Sequence, residues 1–230
     1  MIAKKDRLAL DQISEAAATA HGGADIHRCQ TSAAALATLR DHPAYLGVFG
    51  LSLPDMDGLD LIARVHAERL AFRILVVSTR HDERARHLLR PGRIDGFFDP
   101  ERECFAGLVE AIRTVAAGGT WFHRGAAAVE AASRSAAPRL DQMFSPHELR
   151  VFAVLADGCD DRMAAAILHL SEHTAHTHRV TIMRKLGVHT RHDLMREAIR
   201  RGVVRYTANG VLRPGFDHEQ WPDAAASRVA

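Results

Sequence analysis

The sequence predicts two domains of different class: an α/β domain built on a parallel sheet, and a smaller all-helical domain after it. Over about the first 120 residues, short apolar runs alternate with amphipathic segments of helical period. Such alternation is typical of a parallel sheet that carries helices on both faces. Residues 145–201 contain helical patterns alone. A chain of 230 residues is long enough for two separate cores.

Strand-like runs define the first domain, which we expect at residues 1–122. Arg73–Ser78 is the strongest run, Leu46–Phe49 and Gly96–Phe98 are shorter, and Ala24–Cys29 could add another. Helical segments lie between these runs, at residues 5–20, 32–39, 58–67, 82–89 and 104–117. Because the first helical pattern begins so close to the N-terminus, the sequence shows no strand before it.

The rest of the chain divides into a linker, the second domain and a tail. Residues 123–143 are Ala-rich and then Ser-rich, which indicates a helix that runs into a linker. The second domain is expected at residues 144–206. Residues 207–230 have Gly, Pro and mixed charge without periodicity, which indicates a poorly ordered tail.

Composition and charge narrow the class of protein. Cys29, Cys104 and Cys159 are odd in number and scattered, which fits a reducing cytoplasm better than a disulfide framework. No apolar run approaches the ~20 residues that span a bilayer, so we expect no membrane partner. Residues 1–125 hold 16 basic and 16 acidic side chains, whereas residues 145–206 hold 10 basic and 7 acidic ones. The excess positive charge therefore lies in the second domain, although it is modest and does not by itself establish nucleic-acid binding.

The second domain begins with clear helix signals. Ser145, Pro146 and Glu148 predict a capped helix that ends at Gly158. A short helix, Asp161–Leu168, follows an Asp cap, and a tight turn leads to a third helix capped by Ser171. Two short helices joined by a tight turn have the geometry that enters a major groove.

The third helix has two different faces. Ala175, Ile182, Met183 and Leu186, with either His178 or Arg179, recur at helical spacing and should pack inward. The opposite face is polar and able to hydrogen-bond, which suits base edges, and comprises His173, His176, Thr177, Val180, Thr181 and Arg184. The alternative is a plain helical bundle with a solvated face.

The motifs of this domain resemble those of LuxR-type DNA-binding domains over about 60 residues. The matching segments are Phe144–Gly158, Ser171 to Arg179, Ile182–Val188 and Thr190 to Val204. The resemblance implies a dimer that binds double-stranded DNA. It assigns the DNA surface to His173, Thr174, His176, Thr177, Arg179, Val180, Thr181, Arg184 and Lys185. Among these, Thr174, Arg179 and Lys185 would contact phosphates. Leu194, Ala198 and Ile199 on the last helix would form the dimer contact.

Four positions depart from the family pattern. The family usually has a Lys at position 176, a basic pair at Ala166–Ile167, and a Gly at position 169. Histidine tolerates a left-handed turn, so His169 should preserve the fold. The missing cations should weaken nonspecific DNA affinity and flatten its salt dependence. Protonation of histidines below about pH 6.5 would add positive charge, so we expect DNA affinity to rise as the pH falls.

The first domain resembles the receiver domain of response regulators around Val48–Leu59. The family places a phosphate-accepting Asp at the end of the central strand, where this chain has Gly50, with Pro54 and Gly58 in place after it. Ser78 occupies the position of the switch Ser/Thr, and Asp99–Pro100 stands where the family has a Lys.

Phosphorylation of such a domain needs a carboxylate nucleophile, acidic residues that hold a divalent ion, and a cation on the phosphate. Gly50 leaves no carboxylate nucleophile, and Asp99 stands where the cation would be. The pair of acidic residues that holds the divalent ion in the family is not visible in the sequence. Asp55 and Asp57 lie on the turn, and we interpret them as turn and cap residues.

The resemblance implies a flavodoxin-like sheet in which the first strand, apparently missing here, lies in the interior. Either Ile26–Cys29 then closes against Val48, or a partner chain completes the sheet. An open interior edge would be a liability, so we expect an intimate homodimer through this domain.

We therefore expect a transcription regulator that binds DNA as a dimer and does not depend on aspartate phosphorylation. Two alternatives remain. One is a module that pairs with another regulator protein, which the apolar Ala166–Ile167 pair favours. The other is a ligand- or redox-sensing regulator that uses a cysteine, or the pocket in which the family's acidic residues would lie. No catalytic constellation is visible, so we expect no enzyme and no cofactor. His173 and His176 could share a metal at their spacing, but no Cys or carboxylate completes a ligand set, so we expect no metal.

Overall fold

A computed structural model describes residues 1–88, 92–122, 140–207 and 210–213. The chain divides into two compact units. The N-terminal unit holds nearly all of the described residues up to 122, and the C-terminal unit holds those from 140 onward. In the part of the chain that the structure describes, no helix has both the length and the apolar character needed to cross a membrane.

The N-terminal unit is a parallel sheet with helical connections, as the alternating pattern predicts. Its six strands are arranged in the order β2-β1-β3-β4-β5-β6. Along the chain the elements are β1 (Ile2–Ala3), α1 (Arg7–Ala20), β2 (Arg28–Cys29), α2 (Ser32–Asp41), β3 (Ala44–Phe49), α3 (Gly58–Ala67), β4 (Ala71–Val77), α4 (Glu83–Leu88), β5 (Gly96–Phe98), α5 (Phe105–Ala116) and β6 (Trp121–Phe122).

The first strand is present, so the prediction that it is missing is wrong. Ile2 pairs with Arg28 on one side and with Val48 on the other, in parallel register. The strand has two residues, too few to show any periodicity in the sequence, although both are buried. The sheet is complete within one chain. The segment before Cys29 therefore does not close against Val48, and no partner strand is needed.

The sheet packs on both faces, and alternate strand residues point to opposite sides. Ile2, Val48 and Leu75 pack with α1 and α5. Ala3, Phe49 and Val76 pack on the other side with α2 and α3. The sixth strand, β6, extends the sheet beyond β5 and was not expected from the sequence.

The C-terminal unit is helical, with a terminal hairpin. Its elements are α6 (Leu140–Met143), α7 (Pro146–Leu155), α8 (Asp161–Leu168), α9 (Glu172–Leu186), α10 (Arg191–Arg201), β7 (Arg205–Thr207) and β8 (Gly210–Leu212). The antiparallel hairpin corrects the predicted start of a disordered tail at residue 207. It is attached to the helices by the Tyr206 hydroxyl, which donates to the Ala156 carbonyl at 2.9 Å. The predicted helix over 123–139 and the tail beyond 213 lie outside the described residues.

The helix boundaries follow from the capping residues that the sequence indicates. Ser145 and Glu148 form a reciprocal capping box at the start of α7. Asp160 and Ser171 cap α8 and α9 through their side-chain oxygens. His169 ends α8 with φ 54° and ψ 43°, the left-handed conformation predicted for it. This turn places α9 directly after α8 in a helix-turn-helix arrangement.

Candidate nucleic-acid interface and strand-end site

Helix α9 presents the polar face that the sequence predicts. Ala175 and Ile182 are fully buried, and Met183 and Leu186 pack against the same core. On the opposite side five of the six predicted residues are exposed and Thr181 is half-buried; the exposed ones are His173, His176, Thr177, Val180 and Arg184. His178 and Arg179 are both half-buried, because they lie on the boundary between the two faces.

Asp161, at the first position of α8, binds side chains from two other helices. Arg179 of α9 donates to its carboxylate through Nε at 2.7 Å and Nη2 at 2.9 Å. Arg191 of α10 donates to Oδ1 at 3.2 Å, and His176 Nδ1 lies 2.9 Å from Oδ2. Asp161 therefore links α8, which precedes the turn, to α9, which presents the polar face.

The Arg179 hydrogen bonds, opposed by partial burial and supported by His176 and Arg191, lower the pKa of Asp161 to about 2. The carboxylate is consequently ionised at every pH at which the protein would bind DNA. Asp161 was not among the predicted site residues. The local signal for it is weak, a second acidic residue directly after the Asp160 cap.

Two of the three predicted phosphate ligands are held by carboxylates within the unit. The guanidinium of Arg179 is bound to Asp161, and the Arg179 side chain is only 17% exposed. Lys185 Nζ donates to both oxygens of Glu148, at 2.7 and 2.9 Å, and to the Met143 carbonyl at 2.9 Å. The Thr174 hydroxyl lies 2.7 Å from that of Ser171. Arg184, in contrast, is an exposed cation on the polar face of α9.

The predicted dimer residues of the last helix differ in position. Leu194 and Ala198 are fully buried in the core of their own unit, whereas Ile199 is 48% exposed. The first two therefore stabilise the monomer, and of the three only Ile199 is placed to contact another chain. The predicted apolar pair also divides, because Ile167 packs against its own core and Ala166 is exposed.

At the carboxyl edge of the parallel sheet, Lys4 lies over Gly50. Strand β3 runs between β1 and β4. Lys4, directly after β1, crosses the end of β3 and donates from Nζ to the Val77 carbonyl at the end of β4, at 2.9 Å. A Cβ atom at Gly50 would lie 2.6 Å from Lys4 Cδ. Burial lowers the pKa of the Lys4 ammonium, although nearby Asp6 opposes this effect.

Two other polar residues of this edge, Ser78 and Asp99, are buried and bound to their neighbours. Ser78 lies at the end of β4, and its hydroxyl accepts from the Arg80 amide at 3.1 Å. Asp99 lies after β5 and binds His81 Nε2 at 2.9 Å and Arg102 Nε at 3.2 Å. The edge thus has a lysine after β1 and an aspartate after β5, the reverse of the charges expected for a phosphorylation site.

Of the two turn aspartates, Asp57 is a helix cap as the sequence predicts, and Asp55 binds the first amides of a helix distant in sequence. Asp57 caps α3 through the Leu59 amide at 2.9 Å and forms an ion pair with Arg80. Asp55 accepts from the Ser32 and Ala33 amides, both at 2.8 Å, at the start of α2. Neither carboxylate replaces the side chain that Gly50 lacks.

A parallel α/β unit followed by a helix-turn-helix unit defines a class of two-domain regulators, and comparison with known proteins identifies the family. Residues 142–198 match the model of bacterial regulatory proteins, luxR family. The transcriptional regulatory protein UhpA of Salmonella typhimurium is 31% identical over 159 residues, which cover 67% of this chain and 74% of that protein. FixJ of Bradyrhizobium diazoefficiens is 27% identical over 160 residues, 68% of this chain and 74% of that protein.

Solved structures with the same fold include response regulators. The Salmonella typhimurium response regulator RcsB has a TM-score of 0.58 at 20% identity, covering 87% of this chain and 96% of that one. An RcsB–DNA complex has a TM-score of 0.53 at 19% identity, covering 86% and 96%. The chain belongs to the LuxR family of bacterial regulatory proteins. It is a DNA-binding transcriptional regulator with the two-domain fold of response regulators.

Proposed function

We propose that this regulator binds specific DNA sequences as a homodimer, and that its binding does not depend on aspartate phosphorylation. The receiver-like domain would comprise residues 1–122. The DNA-binding domain would extend from about residue 144 through the hairpin that ends at Leu212. Lys4 over Gly50 is the observation that carries the claim of phosphorylation independence.

The chemistry of phosphoryl transfer supports this proposal. A receiver needs a carboxylate nucleophile and acidic ligands for a divalent ion. Here the nucleophile position has no side chain, and the charge that lies over it is the Lys4 ammonium, which would repel a divalent cation. The buried carboxylate of Asp99 would in turn repel a phosphoryl group. The polar residues at this edge of the sheet would therefore stabilise the fold and would not accept a phosphoryl group.

The exposed face of α9 supports the DNA-binding proposal. His173, His176, Thr177, Val180, Thr181 and Arg184 would lie toward base edges and the adjoining backbone. Val180 is 49% exposed and offers an apolar contact of the kind that a thymine methyl group accepts. Arg184 would contact phosphate or guanine. Thr174, Arg179 and Lys185 would act mainly by stabilising α9 and by adding positive charge to it.

The dimer proposal rests on the class of protein and on Ile199. Helix-turn-helix regulators place two recognition helices on half-sites about one helical turn apart. In one solved structure of RcsB, two dimers are bound to two parallel DNAs, and we extend pairing of that kind to this chain. The complete six-stranded sheet removes strand exchange as a reason for dimerisation.

Selection from randomised duplex DNA with untreated protein tests the proposal. We expect an inverted repeat whose half-sites are centred about 10 bp apart, bound by two chains as measured by analytical ultracentrifugation. Failure to enrich any sequence, combined with capture of a second regulator protein, would support the interaction-module alternative. Enrichment of a single half-site bound by one chain would contradict the dimer.

A further inference from the structure

The two ring nitrogens of His176 face different surroundings. Nδ1 points back into the unit, 2.9 Å from Asp161 Oδ2 and 2.9 Å from Arg179 Nη2. The side chain as a whole is 55% exposed on the polar face of α9. Nε2, the nitrogen away from these two groups, is therefore the one that can meet a ligand.

The position of the ring proton follows from the charge of Asp161. A carboxylate that is ionised can only accept hydrogen bonds, and Asp161 is ionised because Arg179 lowers its pKa to about 2. A nitrogen lone pair 2.9 Å from that oxygen would be repelled, so the ring proton lies between Nδ1 and Oδ2. Arg179 Nη2, 2.9 Å from Nδ1, donates to Oδ2 at the same distance, so we assign its contact with Nδ1 to their shared acceptor and not to a second hydrogen bond. The hydrogen bond at one ring nitrogen thus fixes the tautomer.

We propose that Asp161 is a positioning residue for DNA readout, because it holds His176 in the tautomer whose exposed Nε2 is a hydrogen-bond acceptor. An acceptor in the major groove matches the amino group of adenine or cytosine. Protonation of the ring converts Nε2 into a donor, which matches O6 or N7 of guanine. His176 would therefore change its base preference with pH. The inference rests on the proposed contact between α9 and DNA.

The charged groups that face His176 come from three helices. From α8 it faces Asp161, from its own helix Arg179, and from α10 Arg191 binds the same carboxylate. Arginine stays charged, and Asp161 titrates far below this range. His189, an exposed histidine beyond the end of α9, provides the matched control.

Nitrogen NMR of the full-length protein labelled at histidine measures the tautomer directly. The His176 signals are assigned by their loss in His176→Gln. We expect a protonated Nδ1 and an unprotonated Nε2 at pH 8, and reversal toward protonated Nε2 in Asp161→Ala. A protonated Nε2 in the wild-type protein at pH 8 overturns the inference without the need for any Asp161 variant to fold.

Selection from randomised duplexes at pH 6 and pH 8 measures the consequence for recognition. We expect the wild-type protein to shift from adenine or cytosine toward guanine at one position of each half-site, by about three- to tenfold. His189→Gln should keep the shift, and His176→Gln should abolish it. A wild-type preference that is the same at both pH values overturns the inference while specific binding persists. No specific binding at either pH overturns the proposed function itself.

Discussion

Three cationic side chains of α9 differ in whether a carboxylate binds them. Arg179 and Lys185 are bound by Asp161 and Glu148, whereas Arg184 is exposed on the polar face. The Lys185 hydrogen bond is also the main reason why the pKa of Glu148 is lowered. A cation that already has a carboxylate partner contributes more to the stability of the fold than to DNA affinity, because a phosphate would have to displace that partner.

The difference predicts opposite phenotypes for neighbouring substitutions. Arg184→Ala should leave the melting temperature within about 1 °C, since surface changes are nearly neutral, and should lower the salt dependence of DNA binding by about one counterion. Lys185→Ala should lower the stability of the C-terminal unit by about 1 kcal/mol. Thermal unfolding and salt-titrated binding of both variants test this. A strong loss of stability in Arg184→Ala with none in Lys185→Ala would contradict the assignment.

Asp161 makes the stability of the C-terminal unit depend on pH. Its folded pKa is about 2, below the ordinary value of 3.8. A lowered carboxylate pKa means stability that is present above about pH 4 and is lost as the pH falls toward 2. The shift corresponds to about 2 kcal/mol, and the side chain is only 12% exposed.

Urea unfolding of the wild-type protein and Asp161→Asn between pH 5 and pH 2.5 measures this contribution. The variant should be less stable at pH 5 by about 2 kcal/mol, and the gap should narrow toward pH 2.5. A gap that stays constant over this range would show that the carboxylate charge is not what stabilises the fold.

At the scale of elements, local signals predicted the C-terminal unit well. Ser145 with Glu148, the cap at Asp160 and the left-handed residue His169 all follow from nearest neighbours in sequence. Contacts between distant segments could not be predicted in this way. Asp161 gains its partners from α9 and α10, and Arg179 lies at the boundary between faces, where periodicity cannot decide its direction.

The N-terminal unit shows the same limit. Strand β1 has two residues and no period, so only its pairing with Arg28 and Val48 reveals it. The hairpin after α10 was missed because each of its strands has three residues. The resemblance to receiver domains points to Gly50, but no pattern in the sequence points to Lys4 as the side chain that covers it.

The backbone of the turn between α8 and α9 is strained at His169. His169 has φ 54°, a conformation that costs residues with a Cβ roughly 1 kcal/mol and glycine almost nothing. We expect the melting temperature to fall in the order His169→Gly, wild type, His169→Ala, since histidine tolerates this region better than alanine. A melting temperature of His169→Ala above that of His169→Gly would contradict the left-handed turn.

At the scale of the molecule, Lys4 forms a fixed connection over Gly50, where we propose that no phosphorylation switch operates. The lysine joins the ends of β1 and β4 across β3, and a Cβ at position 50 would lie 2.6 Å from Lys4 Cδ, so that the lysine stem would have to shift. Gly50→Ala and Lys4→Ala should each destabilise the N-terminal unit. The double variant should cost less than the sum by about 1 kcal/mol or more. Additive effects in chemical denaturation would contradict this coupling.

The claim that DNA binding does not depend on aspartate phosphorylation is tested most directly by one comparison. The affinity for a selected duplex is measured with untreated protein, and again after incubation with acetyl phosphate and Mg²⁺. Intact mass is recorded for the same samples. Gly50→Asp serves as a matched variant: it supplies a carboxylate at position 50, while Lys4, shifted by the new Cβ, and Asp99 keep their charges at this edge of the sheet. We expect equal affinities and no phosphoryl adduct in either protein. A phosphorylated wild-type chain that binds DNA about tenfold more tightly, a gain of about 1.4 kcal/mol, would contradict the claim.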